Sequence, residues 1–472
     1  MQHPNYYDLI IKNSSKDHFE FLKQKLETKL TNLDSAPVRS EYKIATYDRY
    51  LLPSLRYHFS VHNVHQTHLD QLDMTANKFL KKWVGIPSRG CTNLSIFHPH
   101  LMNIKTPSQL YLEGHAGNYL SCKLKADSNV QLAIESQLSR ESQWTNKTST
   151  IVQCEAIFQQ VSEDNLIPTR DNCHNFESSL ASQTPILKKT VRQEVQSIYT
   201  DIWKDKVQKL VIQGDFIKLL ESEQSNVTWK SIIFGVPKGV MAFAMRSATN
   251  TLATPDNLKR WKKTASDNCQ MCRQPGRPPA KATLHHQLNN CSAFLGEHER
   301  YTWRHDSVAQ YMAETLKENL PEQMSLYADL EGYKVCGGTI PPTIVQTASR
   351  PDIVLIDNCS RTVWLFELTV SFESNMEAAN KRKKERYESL AADIEDENFK
   401  CNNMPFEIGS RGHISLANKS TLVLMHQLCQ PRTKLSQFIK NISKVSLLAS
   451  YAIYLSRNES NWTSVDLLRP RL

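Results

Sequence analysis

No stretch of the chain reaches the roughly 18 consecutive apolar residues that a bilayer-crossing helix requires. The longest candidate, Leu447 to Leu455, is too short and is interrupted by Ser450, so no membrane partner is expected. The opening residues, MQHPNYYDLI, lack the charged-then-apolar pattern of a secretory signal. The 11 cysteines therefore read as mostly reduced thiols, some of them metal-bound, rather than as a disulfide framework. Compositional bias is lacking too: 40% hydrophobic and 22% charged residues exclude wholesale disorder or a fibrous repeat.

What is present is length, a modest basic excess and a few sharp patterns. A chain of 472 residues exceeds what one core sustains, so several domains are expected. The net charge of +9 favours an acidic partner such as nucleic acid without requiring one. Phe19, Leu22, Leu26, Leu30 and Leu33 recur at three and four residues, which predicts a helix over residues 16–33. A second helix is expected from Glu41 towards His58, bent or split by Pro53. A third runs from Gln66 to Val84 and stops at Gly85. The stretch from Ser139 to Leu180 is rich in Ser, Gln and Asn with weak periodicity, as in a linker, and helical spacing resumes from Val191 to Leu220.

Cys269-x2-Cys272-x13-His286-x4-Cys291 has the composition and spacing of a tetrahedral metal site. Two thiolates two residues apart can turn onto one ion, and a second half supplies His and Cys. His285 adjoins His286, and spacing alone does not choose between them. The intervening PGRPP cannot be helical and reads as a loop. Thirteen residues after Cys291 comes Arg304-His305-Asp306, which by itself reads as a helix start with Asp306 as the cap.

The richest stretch is Arg350 to Leu390. Asp352 opens the run Asp-Ile-Val-Leu-Ile, and Glu367 lies within Val-Trp-Leu-Phe-Glu-Leu-Thr-Val. Both runs are β-branched and aromatic enough to be strands, with Asn358, Cys359 and Ser360 turning between them. Antiparallel neighbours bring two such carboxylates to one edge, where oxygen ligands could share a divalent cation, Mg²⁺ or Mn²⁺. Downstream, Met376, Ala379, Lys383, Tyr387 and Leu390 form one narrow helical stripe. Lys383 therefore faces the sheet, while Lys381, Arg382 and Lys384 face solvent or DNA.

Residues 44–87, IATYDRYLLPSLRYHFSVHNVHQTHLDQLDMTANKFLKKWVGIP, closely resemble the thumb-like region that follows the palm in reverse transcriptases of R2-like non-LTR retrotransposons. Residues 228–263 resemble the segment preceding the zinc knuckle of the same polyproteins, and Pro351-Asp352 with Glu367 resembles their restriction-like endonuclease of the PD-(D/E)xK group. The resemblance implies a multidomain chain: an all-α thumb-like amino-terminal half over 1–138, connecting helices over 139–264, a CCHC zinc knuckle over 265–310 and an α/β restriction-like endonuclease domain over 311–472. It favours His286 as the zinc ligand and matches Lys383 and Tyr387. It also implies that Arg304 and His305 contact nucleic acid, and Arg350, Lys381, Arg382 and Lys384 are expected to join them. Thr369 stands where the motif's lysine is usual, so Lys383 is expected to have taken over its role. No adjacent Asp-Asp pair occurs, so the metal centre of a polymerase palm is not expected here. The chain reads as the carboxy-terminal part of a larger polyprotein or a truncated copy. The expected function is Mg²⁺-dependent nicking of target DNA in the nucleus, although no targeting signal is identified, with element RNA as a second partner. The competing expectation is an inactive nucleic-acid-binding remnant.

Overall fold

Apolar residues three and four apart account for the first helices. In the computed structural model, α1, Ser15–Ser35, buries Phe19, Leu22, Leu26 and Leu30 along one stripe. Next, α2, Ser40–Thr46, runs through a π turn, Tyr47–Leu51, and a 3₁₀ turn, Leu52–Leu55, into α3, Arg56–Val61. The bend expected at Pro53 is thus a change of helix type. Proline has no N–H for the regular ladder, and the Leu52 N–H reaches back to the Tyr47 carbonyl just before it. Helix α4, Gln66–Val84, ends as expected on Gly85, whose φ of 81° suits a residue without Cβ. Asp34 at the end of α1 accepts from Lys82 Nζ at 2.6 Å and from Trp83 Nε1 at 2.9 Å. Helices α5, Leu94–Phe97, α6, Pro107–Lys123, α7, Ser128–Arg140, and α8, Leu180–Gln208, follow.

The structure describes residues 15–123, 127–140, 154–155, 157, 180–223, 231–272 and 279–463. Most of the linker expected from Ser139 to Leu180 and most of the PGRPP loop lie outside them. The chain divides into two compact units, Met1–Lys209 and Leu210–Leu472.

The second unit begins with α9, Asp215–Glu223, α10, Lys238–Ala248, and α11, Pro255–Arg260. After the Cys/His segment come α12, Ser292–Leu295, and α13, Arg300–Lys317. Helix α13 starts earlier than the sequence suggests, so Asp306 is not a cap but lies inside it. Four strands follow: β1, Met324–Ala328, β2, Ile353–Asp357, β3, Thr362–Ser371, and, after α14, Met376–Arg386, and α15, Glu388–Asp396, β4, Lys400–Gly409. Helices α16, Leu416–Cys429, and α17, Leu435–Leu455, close the unit. The sheet order is β1-β2-β3-β4, with β3 and β4 parallel and the other pairs antiparallel.

Both faces of the sheet are covered, which is why its central strands read as nearly unbroken apolar runs. Ile353, Leu355, Phe366, Leu368, Phe406 and Ile408 pack with residues of α13, α16 and α17. Val354, Ile356, Val363 and Leu365 pack on the other face with Tyr387, Leu390 and Ile394. Full burial of each such side chain is worth roughly 1.5–3 kcal/mol. Alternation continues this second face through Glu367, Thr369 and Ser371, so the apolar layer gives way to polar groups towards the end of β3. At the end of β4, Gly412 has φ 81°, and a Cβ there would lie 2.5 Å from the Ser443 carbonyl oxygen. Its N–H donates to Gly409 O at 2.8 Å, which closes a tight turn.

Candidate functional site

The β2–β3 hairpin builds the site. Asp357 Oδ1 accepts from the N–H groups of Cys359 and Ser360 at 2.9 and 3.2 Å, closing the turn through its own side chain. That turn sets the register in which Ile353 pairs with Phe366. One step further along the antiparallel ladder, Asp352 comes opposite Glu367. The Asp352 N–H donates to Glu367 Oε1 at 3.1 Å, and the Leu368 N–H donates to Asp352 Oδ2 at 2.8 Å. Two carboxylates separated in sequence thus meet at one end of the hairpin.

Helix α14 adds a cation. Met376, Ala379, Tyr387 and Leu390 are buried as the stripe predicts, and Lys383 points inward with them. Its Nζ lies 2.6 Å from Glu367 Oε2 and 3.6 Å from Asp352 Oδ2. The Tyr387 hydroxyl donates to the Arg350 carbonyl at 3.3 Å, tying the junction of α14 and α15 to the residues before Asp352.

Helix α13 adds a second cation, which the sequence did not place here. His305 Nε2 lies 3.3 Å from Asp352 Oδ2, and its Nδ1 lies 2.9 Å from Asp306 Oδ1. A signal existed: His305 precedes Val308 and Ala309 by three and four residues, on the same buried stripe of α13.

The charges shape one another. Burial pushes the Glu367 carboxyl up to about 7, helped by Asp352 and opposed by Lys383. Burial acts in the same direction on Asp352, but the charges of His305 and Lys383 outweigh it and hold that carboxyl below its ordinary range. Burial alone would lower His305, yet Asp352 and Asp306 hold it well above its usual value. The result is two carboxylates countered by two cations, with Asp352 only partly covered at 14% side-chain exposure.

The Cys/His segment forms a second centre. Ligand atoms of Cys269, Cys272, His286 and Cys291 all lie within 4.8 Å of one another. Cys269 Sγ and Cys291 Sγ are 4.0 Å apart, and Cys272 Sγ and His286 Nε2 are 3.4 Å apart. Tetrahedral zinc, with Zn–S about 2.3 Å and Zn–N about 2.0–2.1 Å, spaces such pairs by roughly 3.8 and 3.5 Å. The four residues therefore can hold a metal ion such as zinc. His285 is directed elsewhere: its ring stacks on Phe372 at 4.6 Å, and its Nε2 meets Asn375 Nδ2 at 3.2 Å. The Tyr301 hydroxyl, 3.0 Å from His286 O, 3.1 Å from Gln287 O and 3.1 Å from the Cys291 N–H, fastens this centre to α13. Asn289 Nδ2 donates to Val370 O at 3.0 Å and fastens it to β3.

Of the residues expected to meet nucleic acid, Arg350, Lys381, Arg382 and Lys384 are exposed. Arg304 is not. It is 1% exposed, and its guanidinium donates to Ser450 Oγ at 3.0 Å and to Val370 O at 3.1 Å. With both terminal nitrogens bonded inside the protein, it braces α13 against α17 and β3 and does not reach a phosphate. His305, paired with Asp352, belongs to the carboxylate cluster rather than to an open basic surface.

No protein-family model matches the chain, and no curated protein matches it significantly.

Proposed function

We propose that this chain is a metal-dependent DNA endonuclease of the PD-(D/E)xK kind, belonging to the carboxy-terminal part of an R2-like non-LTR retrotransposon protein. The observation that carries this is Asp352 opposite Glu367 with Lys383 between them. Two hard oxygen donors at the end of a hairpin suit Mg²⁺ or Mn²⁺, with Asp352 and Glu367 as its protein ligands. When bound, the ion would supply Lewis-acid polarisation of the scissile phosphate. Lys383 replaces the lysine missing at Thr369: its ammonium orients the attacking water and offsets charge developing on phosphorus. Water forms the new P–O bond as the bond to the 3′ oxygen breaks, and the released 3′ hydroxyl can prime reverse transcription. His305 keeps Asp352 ionised and turned towards Glu367. Lys381, Arg382, Lys384 and Arg350 give the phosphate backbone a basic approach. The Cys269, Cys272, His286 and Cys291 centre holds zinc in a scaffolding role.

The departure at Thr369 keeps a second reading alive, that of an inactive nucleic-acid-binding remnant. Supercoiled plasmid nicking by the full chain in Mg²⁺ separates the two. Asp352→Ala and Glu367→Ala should each lower nicking by at least about 10²-fold with DNA affinity retained. Wild-type DNA binding without any metal-dependent nicking would select the remnant, and undiminished nicking in both variants would reject the assignment of the carboxylates.

A further inference from the structure

Glu407 has no part in that chemistry, and it is a costly residue to bury. It lies on β4 at 2% exposure and pairs with Thr369 in the parallel register, on the face of the sheet that carries Glu367. Its Oε2 accepts from Asn380 Nδ2 at 3.1 Å, and the same amide donates to the Pro405 carbonyl at 3.1 Å. Its Oε1 is buried without a hydrogen-bond partner, and so is the Thr369 Oγ1 beside it. A buried acceptor left in this state is destabilising. Asn380 stands one helical turn before Lys383 on α14, so the lysine stem enters the same seam between helix and sheet. Burial pushes the Glu407 carboxyl up to about 7, opposed by the side-chain amides of Asn380 and Asn418 and then by the Lys383 charge.

The resting position of Lys383 creates a conflict. Its Nζ is 2.6 Å from Glu367 Oε2, on the carboxylate that a divalent cation would need. Two cations crowded onto one carboxylate repel, and an ammonium left buried without a counter-charge is worse. A lysine has a flexible four-carbon stem and can move where an arginine fork could not. We propose that Glu407 is a positioning residue: its unpartnered buried oxygen receives the Lys383 ammonium when a divalent cation takes Glu367. Thr369, short where the motif usually carries a lysine, leaves Glu407 without a cation of its own and so open to Lys383. The proposal rests on reading Asp352 and Glu367 as a cation-binding pair.

The test is Mn²⁺ titration of the zinc-loaded full chain, followed by the electron paramagnetic resonance of free Mn²⁺. The wild type should bind Mn²⁺ and Asp352→Asn should lose it. Glu407→Gln should weaken binding about tenfold, equivalent to about 1.4 kcal/mol, because Lys383 then stays on Glu367. The same substitution made on Lys383→Met should change affinity less than about twofold, since no ammonium is left to relocate. Glu407→Asp, which keeps the charge one methylene further back, should fall between wild type and Gln and serves if the Gln variant is unstable. Equal losses with and without Lys383, or no loss in Glu407→Gln and Glu407→Asp, would overturn the positioning role while leaving the metal pair intact. A wild-type chain that binds no Mn²⁺ at Asp352 would instead overturn the pair and the proposal together.

Discussion

Arg304 and His305 are neighbours in the chain, yet they end in different chemistry. The helical step of about 100° turns one into the interior against Ser450 and Val370 and the other towards Asp352. Because Arg304 satisfies two groups inside the protein, Arg304→Ala leaves both without a donor and opens a void. It should lower unfolding stability by about 2–4 kcal/mol in urea titrations. The DNA affinity of the folded fraction should stay within about twofold of wild type, whereas loss of a phosphate contact would weaken binding and flatten its salt dependence. Lys383 gives the opposite pattern. Lys383→Met keeps the packed stem and removes only the charge, so nicking should fall by about 10²-fold while the unfolding midpoint shifts little. A Lys383→Met chain that nicks like wild type would rule out its proposed role as the substitute lysine.

At the scale of elements, the Cys/His centre is the fastener between α13 and the end of β3. Tyr301 and Asn289 transmit its shape to both, and α13 in turn carries His305 to Asp352. A metal held there is therefore coupled to the geometry of the carboxylates although it touches none of them. Removing zinc with a strong chelator should lower the melting temperature of the second unit by at least about 5 °C, as expected for a loss of about 2 kcal/mol from a domain of this size. Nicking should be lost along with it, and re-addition of zinc before Mg²⁺ should recover both. Retention of both melting temperature and nicking in a chain shown to be metal-free would remove the scaffolding role.

For the molecule as a whole, the two units differ in how they meet acid. The first concentrates buried imidazoles. Burial lowers His18, His58 and His115 to about 4 and His98 to about 3, with neighbouring positive groups adding to the effect at His18, His58 and His98. These rings are held neutral in the fold, whereas the unfolded chain protonates them near 6.5. The unfolded state therefore binds more protons below that pH, and stability falls as pH drops from about 6.5 towards 4, with no corresponding gain above 6.5. Hydrogen exchange of first-unit amides in the full chain should show the loss between pH 7 and pH 5, corrected for intrinsic exchange, and the first unit's melting temperature should fall by about 10 °C. Protection unchanged down to pH 5 would mean that these rings accept protons in place.

Much of this was legible in the chain itself. The periods of α1 and α4, the two strands with the turn at Asn358, the inward lysine on α14 and the ligand spacing of the Cys/His centre all follow from local rules acting over a few residues. What only the tertiary structure decided was which side chains from distant segments share a space. His305 on Asp352, Arg304 against Ser450 and Val370, and Glu407 beside Thr369 are contacts across 47, 146, 66 and 38 positions of sequence. Periodicity says which face of an element is buried, but the partner it is buried against is set by strand register and helix packing. For that reason the two carboxylates and Lys383 could be read from one stretch of sequence, while the groups that hold and tune them could not.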